Sequence, residues 1–196
     1  MVSPWPAALA LSVLCFCGQA GAKVVSNTQI SYYTADGTTP GAIFRALLKG
    51  GPRVGGAQAI ASISTRAVQD GGLNESNGGC VIADYAIKLN FLIKRPRIAN
   101  LGVLSAADRA KWNQLNGFII AHENQHKQIW LTCAADLDRR IRATTAPSCK
   151  QLAGKGQAMW KKMLADCDRK QRSFDGVQAR QLEALPFMKR ARSGAD

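Results

Sequence analysis

The sequence predicts an α+β fold in which a small, mainly antiparallel sheet packs against one long helix and a second, backing helix. Apolar and polar residues alternate in the first half of the chain, whereas apolar residues recur every three, four or seven positions in the second half. The 196 residues, 46% of them hydrophobic, exclude both a disordered chain and two large domains. One domain with its own hydrophobic core is therefore expected.

The first 22 residues have the features of a secretory signal peptide. The segment 7–17 is apolar and carries no charged side chain, and Ala20 and Ala22 are small residues of the kind that a signal peptidase requires. The apolar run is shorter than the roughly 20 residues of a spanning helix. We expect cleavage after Ala22, a mature domain over residues 23–196 without a membrane span, and a periplasmic or secreted location.

The first half of the mature chain is predicted to form strands around one short helix. The expected strands cover residues 24–34, 57–68 and 81–92. Thr39 and Pro40 provide the N-cap and first turn of a helix that extends to Leu48 and stops at the following glycines. The Gly- and Asn-rich segment 70–79 is expected to be a loop.

The second half is predicted to be helical. Ser105 and Asp108 form a capping box at the start of a long amphipathic helix that ends near Thr144. Ser148, with Gln151, caps the backing helix.

A third, short helix is expected after the backing helix. Asp175 is placed to cap it through the amide near Gln178, and Pro186 stops it.

Four cysteines remain once the leader is removed: Cys80, Cys133, Cys149 and Cys167. An even number in an exported protein favours two disulfides, with three pairings possible and buried thiols as the alternative. A helix between Cys149 and Cys167 would hold them about 25 Å apart, so a bond between these two is not expected.

The main chemical motif lies inside the predicted long helix and reads His122-Glu123-Asn124-Gln125-His126. Histidines four residues apart project from one helical face, so that both imidazoles can bind one tetrahedral Zn²⁺. Glu123 lies about 100° around the helix from His122, where a carboxylate reaches a water molecule rather than the metal. Because these are the only two histidines in the chain, the pattern favours a zinc site over two core histidines.

Three segments resemble an uncharacterised bacterial family whose members are described as predicted secreted zinc-dependent proteases. The segments are Ile30-Ser31-Tyr32-Tyr33-Thr34-Ala35-Asp36-Gly37, the strand start Cys80-Val81-Ile82, and Trp112 followed by Ala121-His122-Glu123-Asn124-Gln125-His126-Lys127. The similarity extends from about Val24 to Phe187. It implies an exported, zincin-like domain that binds zinc and hydrolyses peptides.

Catalytic zinc needs a third protein ligand, and the chain has no third histidine. Some members of the resembled family carry Tyr-Asp followed by Thr-x-His-Gly near this end, where the present chain has Phe174-Asp175-Gly176-Val177-Gln178. The aspartate matches and the histidine does not. Asp175 is therefore the first candidate, ahead of Glu183, Asp168 and Cys133, and helix capping is its alternative role.

Lys and Arg number 26 against 13 Asp and Glu, which gives a formal net charge of +13. The basic clusters lie at residues 94–97, 161–162, 169–172 and 189–192. Such clusters are mostly solvated faces, and adhesion to an anionic cell-envelope polymer is the functional alternative. Nucleic acid is not expected as a partner, because no helix-turn-helix or RNA-binding signature occurs.

The sequence thus predicts a zinc-dependent peptidase acting on a peptide or protein substrate. A zinc-activated water would attack the peptide carbonyl, with Glu123 as general base. Tyr32, Tyr33 and Tyr85 are candidates for stabilising the oxyanion by residue type alone. Two alternatives stay open: a zinc amidase acting on cell-wall peptides, and a non-enzymatic basic envelope-binding protein whose zinc is structural or absent.

Overall fold

The computed structural model describes residues 23–76 and 78–194, so the expected signal peptide lies outside the described residues. The strands are β1 (Val24–Ala35), β2 (Arg53–Val54), β3 (Ala57–Gln58), β4 (Ser62–Ser76), β5 (Gly79–Ile98) and β6 (Thr145–Ala146). The helices are α1 (Pro40–Gly50), α2 (Ala106–Arg142), α3 (Cys149–Ala184) and α4 (Pro186–Arg192), with a 3₁₀ turn at Leu101–Val103. The predicted α+β class is confirmed.

The main sheet is built around β5. Strand β4 pairs with β5 antiparallel and β6 pairs with its beginning antiparallel, whereas β1 pairs with it in parallel. The strand order is β1-β5-β4, and β2 and β3 form a separate small hairpin. Residues Ile87, Leu89, Phe91 and Ile93 of β5 are buried at every second position, which is the alternation expected for a strand with one covered face.

Several strand boundaries differ from the sequence prediction. The strand expected over 81–92 is longer, since β5 extends from Gly79 to Ile98. The segment 70–79 is not a loop, because β4 continues to Ser76 and β5 begins at Gly79. A bulge between Asp70 and Gly72 adjusts the register there. Pairing with β5 along the whole strand outweighs the low strand propensity of Gly and Asn. The strand expected over 57–68 is also divided, since β3 ends at Gln58 and β4 starts at Ser62.

The helix starts follow the predicted caps. The Thr39 side chain accepts from the amide of Ala42, and the Ser105 side chain accepts from that of Asp108. The Ser148 side chain likewise accepts from Gln151. These bonds satisfy amides that a helix leaves without an internal partner, and so fix where α1, α2 and α3 begin.

The predicted third short helix is wrong. Helix α3 runs without a break from Cys149 to Ala184, so Asp175 lies in its interior and caps nothing. The helix packs against α2, β5 and α4, and this packing overrides the local stop signal at Asp175 and Gly176. Pro186 does end it, and begins α4 instead.

Two disulfides connect the helical half to itself and to the sheet. Cys80 at the start of β5 bonds to Cys149 at the start of α3, and Cys133 of α2 bonds to Cys167 of α3. The expectation that Cys149 and Cys167 do not bond to each other is confirmed. Such bonds persist in oxidising compartments, which indicates an extracytoplasmic protein. Within the described residues, every helix is too short or too polar to cross a membrane.

Candidate metal centre

Helices α2 and α3 lie antiparallel and bring the candidate ligands together. The Cys133–Cys167 bond and the contact between His126 and Gln171 fix the register of the two helices. Eight residues beyond Cys167, Asp175 then faces the HExxH turn of α2. Its Oδ1 lies 2.9 Å from Nε2 of His126 and 3.3 Å from Nε2 of His122.

The three donor atoms form a compact triangle. The two Nε2 atoms are 2.9 Å apart, so all three separations lie between 2.9 and 3.3 Å. Ligands held about 2.0–2.1 Å from a tetrahedral zinc are themselves about 3.3 Å apart. Both the spacing and the donor set, two imidazole nitrogens and a carboxylate oxygen, therefore suit zinc. Among the described residues, His122, His126 and Asp175 form a group able to hold a metal ion.

The orientation of the His126 ring is set by Gln171 on α3. Nδ1 of His126 donates to Oε1 of Gln171, and Nε2 of the Gln171 amide donates back to the backbone carbonyl of His126 at 3.0 Å. The reciprocal pair places the ring proton on Nδ1 and leaves the Nε2 lone pair directed at the triangle. Metal-binding histidines commonly have such a partner on the second nitrogen.

The His122 ring is held by aromatic side chains. Phe174 stacks on it with 4.9 Å between ring centroids, and Phe118 stacks at 6.1 Å. Burial, and to a lesser extent the neighbouring His126, lower the pKa of His122 below its ordinary value, so the ring is neutral at neutral pH. Neutral imidazole is the form that binds metals.

Glu123 points inward from α2 and is only 4% exposed. Its Oε2 atom is buried and has no hydrogen-bond partner in the described part of the chain. Burial, reinforced by the charge of Asp175, raises the pKa of Glu123 to about 7, while the charge of Arg95 acts in the opposite direction. Near neutral pH, the protonated and the ionised forms of this carboxyl group are therefore both populated.

The other residues considered as third ligand lie elsewhere. Asp168 pairs with Arg172, and Glu183 lies 3.5 Å from Arg192. Cys133 is in a disulfide. Asp175 is thus the predicted candidate that the structure brings to the two histidines.

The three candidate tyrosines have different surroundings. Tyr33 donates to the carbonyl of Ile60 at 2.7 Å, and Tyr85 donates to Gln69 at 3.0 Å. Tyr32 is exposed, and its hydroxyl accepts from Arg95, the cation whose charge acts on Glu123.

The family model with the description "Bacterial protein of unknown function (DUF922)" matches residues 30–181. The chain belongs to this family. The matched range of DUF922 includes the HExxH turn, Gln171 and Asp175, and so spans the whole candidate centre. No curated protein and no solved structure matches the chain.

Sequence reasoning missed Gln171 and the role of Phe174. Gln171 lies on the same face of α3 as Asp175, since it precedes it by four residues, and Phe174 is three residues after Gln171. The four-residue spacing of Gln171 and Asp175 indicates a shared face only if both residues lie in one continuous helix. Because the sequence analysis placed a helix start at Asp175, this spacing carried no information.

Proposed function

We propose that this DUF922 protein is a zinc-dependent peptidase exported through its signal peptide, cleaved after Ala22, to the periplasm or the cell exterior. In this proposal His122, His126 and Asp175 bind zinc in a zincin-like site, and Glu123 is the general base. The observation that carries it is the triangle of three donor atoms next to a buried carboxyl group whose Oε2 has no hydrogen-bond partner among the described residues.

The composition of the site supports a catalytic zinc over a structural one. Structural zinc sites use four protein ligands, whereas catalytic sites use three and leave one position for water or substrate. The group of donors has three members among the described residues. The Asp175 side chain is 54% exposed, so the centre is accessible from the α3 side.

Zinc at such a site polarises a carbonyl group and lowers the pKa of water. Glu123 accepts the proton of the attacking water and then donates it to the leaving amine. Its raised pKa and the absence of a competing hydrogen bond on Oε2 suit both steps. Gln171 acts indirectly, because it keeps Nε2 of His126 free of a proton.

Zinc content tests the metal site. The protein, purified without chelators, is expected to hold about one zinc per chain, and the variants His122→Ala and Asp175→Ala are expected to lose it. Asp168→Ala is the matched control, since it removes an exposed carboxylate from the same helix outside the triangle. Wild-type protein that is folded and stays zinc-free after zinc is added would refute the metal site.

Hydrolysis tests the reaction. The zinc-loaded protein is offered a peptide library and, separately, isolated cell-wall peptides, with products read by mass spectrometry. Cleavage of the library supports the peptidase, whereas cleavage of cell-wall peptides alone assigns the alternative zinc amidase. Cleavage of neither by zinc-loaded protein would contradict both.

The non-enzymatic envelope-binding alternative has less support from the charges on α3. Asp166 pairs with Lys162 and Arg169, and Asp168 pairs with Arg172. Two of the five positive charges in the clusters 161–162 and 169–172 are therefore compensated locally. Salt-sensitive binding to anionic polymer by zinc-free protein would favour this alternative.

A further inference from the structure

A pocket of about 340 Å³ opens directly beside the candidate centre. His122, Glu123 and Asp175 form part of its wall. The remaining wall is largely apolar and includes Phe44, Ile119, Ala179, Leu182 and Met188. We call this cavity the apolar pocket. Four helices contribute to it, so its shape depends on the packing of the whole domain rather than on one loop.

The charges around the apolar pocket select against charged occupants. Glu123, which is not a zinc ligand in the proposed site, repels an acidic group, and an acidic group would also lose its hydration against the apolar wall. Among the described lining residues, Arg192 is the basic one. It lies over the Phe44 ring at 6.0 Å and pairs with Glu183, so its charge already has a partner. A basic occupant would have to lose its hydration against an apolar wall. A neutral, apolar group is the occupant that fits.

The size of the pocket is sufficient for one large side chain. Pockets for small ligands range from about 300 to 1,000 Å³, and this one lies at the lower end of that range. Because the candidate ligands His122 and Asp175 and the proposed general base Glu123 form part of its wall, a side chain in the pocket belongs to a residue next to the bond that reacts.

We propose that the apolar pocket binds a leucine, methionine or phenylalanine side chain of the substrate peptide, adjacent to the scissile bond. This inference rests on the proposed peptidase function and adds its substrate class. Burial of such a side chain in the pocket supplies the binding free energy, and the apolar part of the wall supplies the selectivity.

Direct binding tests the pocket without turnover. The probes are N-acetyl-leucinamide, N-acetyl-phenylalaninamide, N-acetyl-glycinamide and N-acetyl-lysinamide, added to the isotope-labelled protein. We expect saturable shifts of the Ala179 methyl resonance in nuclear magnetic resonance spectra with the first two probes and not with the last two. Equal shifts with all four, or none with any, would overturn the proposal.

A filling variant tests the pocket in the peptidase reaction. Ala179 is exposed on α3, so Ala179→Leu adds bulk to the pocket without disturbing the core. We expect it to reduce the ratio of kcat/KM for leucine over alanine peptides by about tenfold or more. Ala184→Leu is the control, because Ala184 is exposed on the same helix and does not line the pocket. An equal change in both variants would overturn the assignment.

The two experiments separate the failure of the pocket from the failure of the proposed function. Selective probe binding without any peptide hydrolysis leaves the pocket in place and refutes the peptidase. Hydrolysis of a peptide library with no apolar preference on either side of the cleaved bond keeps the peptidase and refutes the pocket. Selective binding of a fatty acyl chain with no shift from the amino-acid amides would also refute it.

Discussion

Helix α2 buries two carboxylates, and their surroundings differ. Asp138 is fully buried, and Nε of Arg142 donates to its two oxygens at 2.9 and 3.1 Å. Glu123 is almost as buried, but its Oε2 has no partner among the described residues. A buried carboxylate lowers stability unless it is paired. The charge of Asp138 is therefore compensated by a direct partner, whereas the free energy cost at Glu123 is offset only in part, by the charge of Arg95.

The same contrast extends to the neighbouring groups. Arg142 also donates to the backbone carbonyl of Tyr85 at 2.6 Å, so the Asp138 pair ties α2 to β5. Beside Glu123 in the HExxH turn, by contrast, Nδ1 of His122 is buried without a hydrogen-bond partner within the described residues. Unsatisfied buried polar atoms are rare in folded proteins. Their presence at His122 and Glu123 distinguishes the candidate metal centre from the ion pair on the same helix.

The largest expected effect is on catalysis. Glu123→Gln removes the proton acceptor but keeps the shape, so kcat for peptide hydrolysis should fall by about 10²- to 10⁴-fold. Zinc content and the thermal midpoint should change little, because no hydrogen bond to Oε2 is lost. Steady-state kinetics and metal analysis check this. A variant that retains wild-type kcat would refute the role of Glu123 as general base.

Substitution of Asp138 is expected to lower the stability of the protein and to leave the metal site unchanged. Asp138→Asn leaves the Arg142 guanidinium without its counter-charge, and the free energy of unfolding should fall by about 3–5 kcal/mol. Zinc affinity should be unchanged. Denaturant unfolding checks the first value and metal titration the second.

A matched double variant sharpens this test. Asp138→Leu combined with Arg142→Met replaces the pair with apolar groups, and it should recover much of the lost stability. A loss of zinc in the folded Asp138→Asn variant would contradict the distinction between the two carboxylates.

Loss of the disulfide between Cys133 and Cys167 should have the next largest effect. Replacing Cys133 and Cys167 by serine opens a link across 34 residues and should lower the free energy of unfolding by about 2–4 kcal/mol. Because this bond lies between the Asp138 pair and the histidines, the variant tests whether it also maintains the register of α2 and α3. The same replacement at Cys80 and Cys149 is the control, and zinc affinity should fall only in the former.

The sequence predicted the parts that depend on local chemistry. The helix starts at Ser105 and Ser148 and the position of the HExxH turn follow from side chains within a few residues of each other. Strand β4 and helix α3 were predicted too short, because their extent depends on pairing with β5 and packing on α2. The apolar pocket combines residues from α1 to α4 and has no signature along the chain.

The smallest expected effect is at Gln171, which contacts His126 and not the donor triangle itself. Gln171→Ala removes the acceptor for Nδ1, so zinc affinity should fall by about 10- to 100-fold. Gln171→Glu restores an acceptor and should retain most of the affinity. Gln157→Ala makes the same change on α3 beside Gln69, away from the centre, and serves as control.

Competition with a zinc-binding dye measures these constants. If Gln171→Ala weakened binding no more than Gln157→Ala, the ring of His126 would be held by its own packing, and the hydrogen bond would have no role in setting the metal site. A loss in Gln171→Ala that Gln171→Glu repairs would instead show that one amide on α3 sets the tautomer of a histidine on α2. The region around Glu123 would then include an outer layer of positioning groups, which the tightly paired Asp138 does not need.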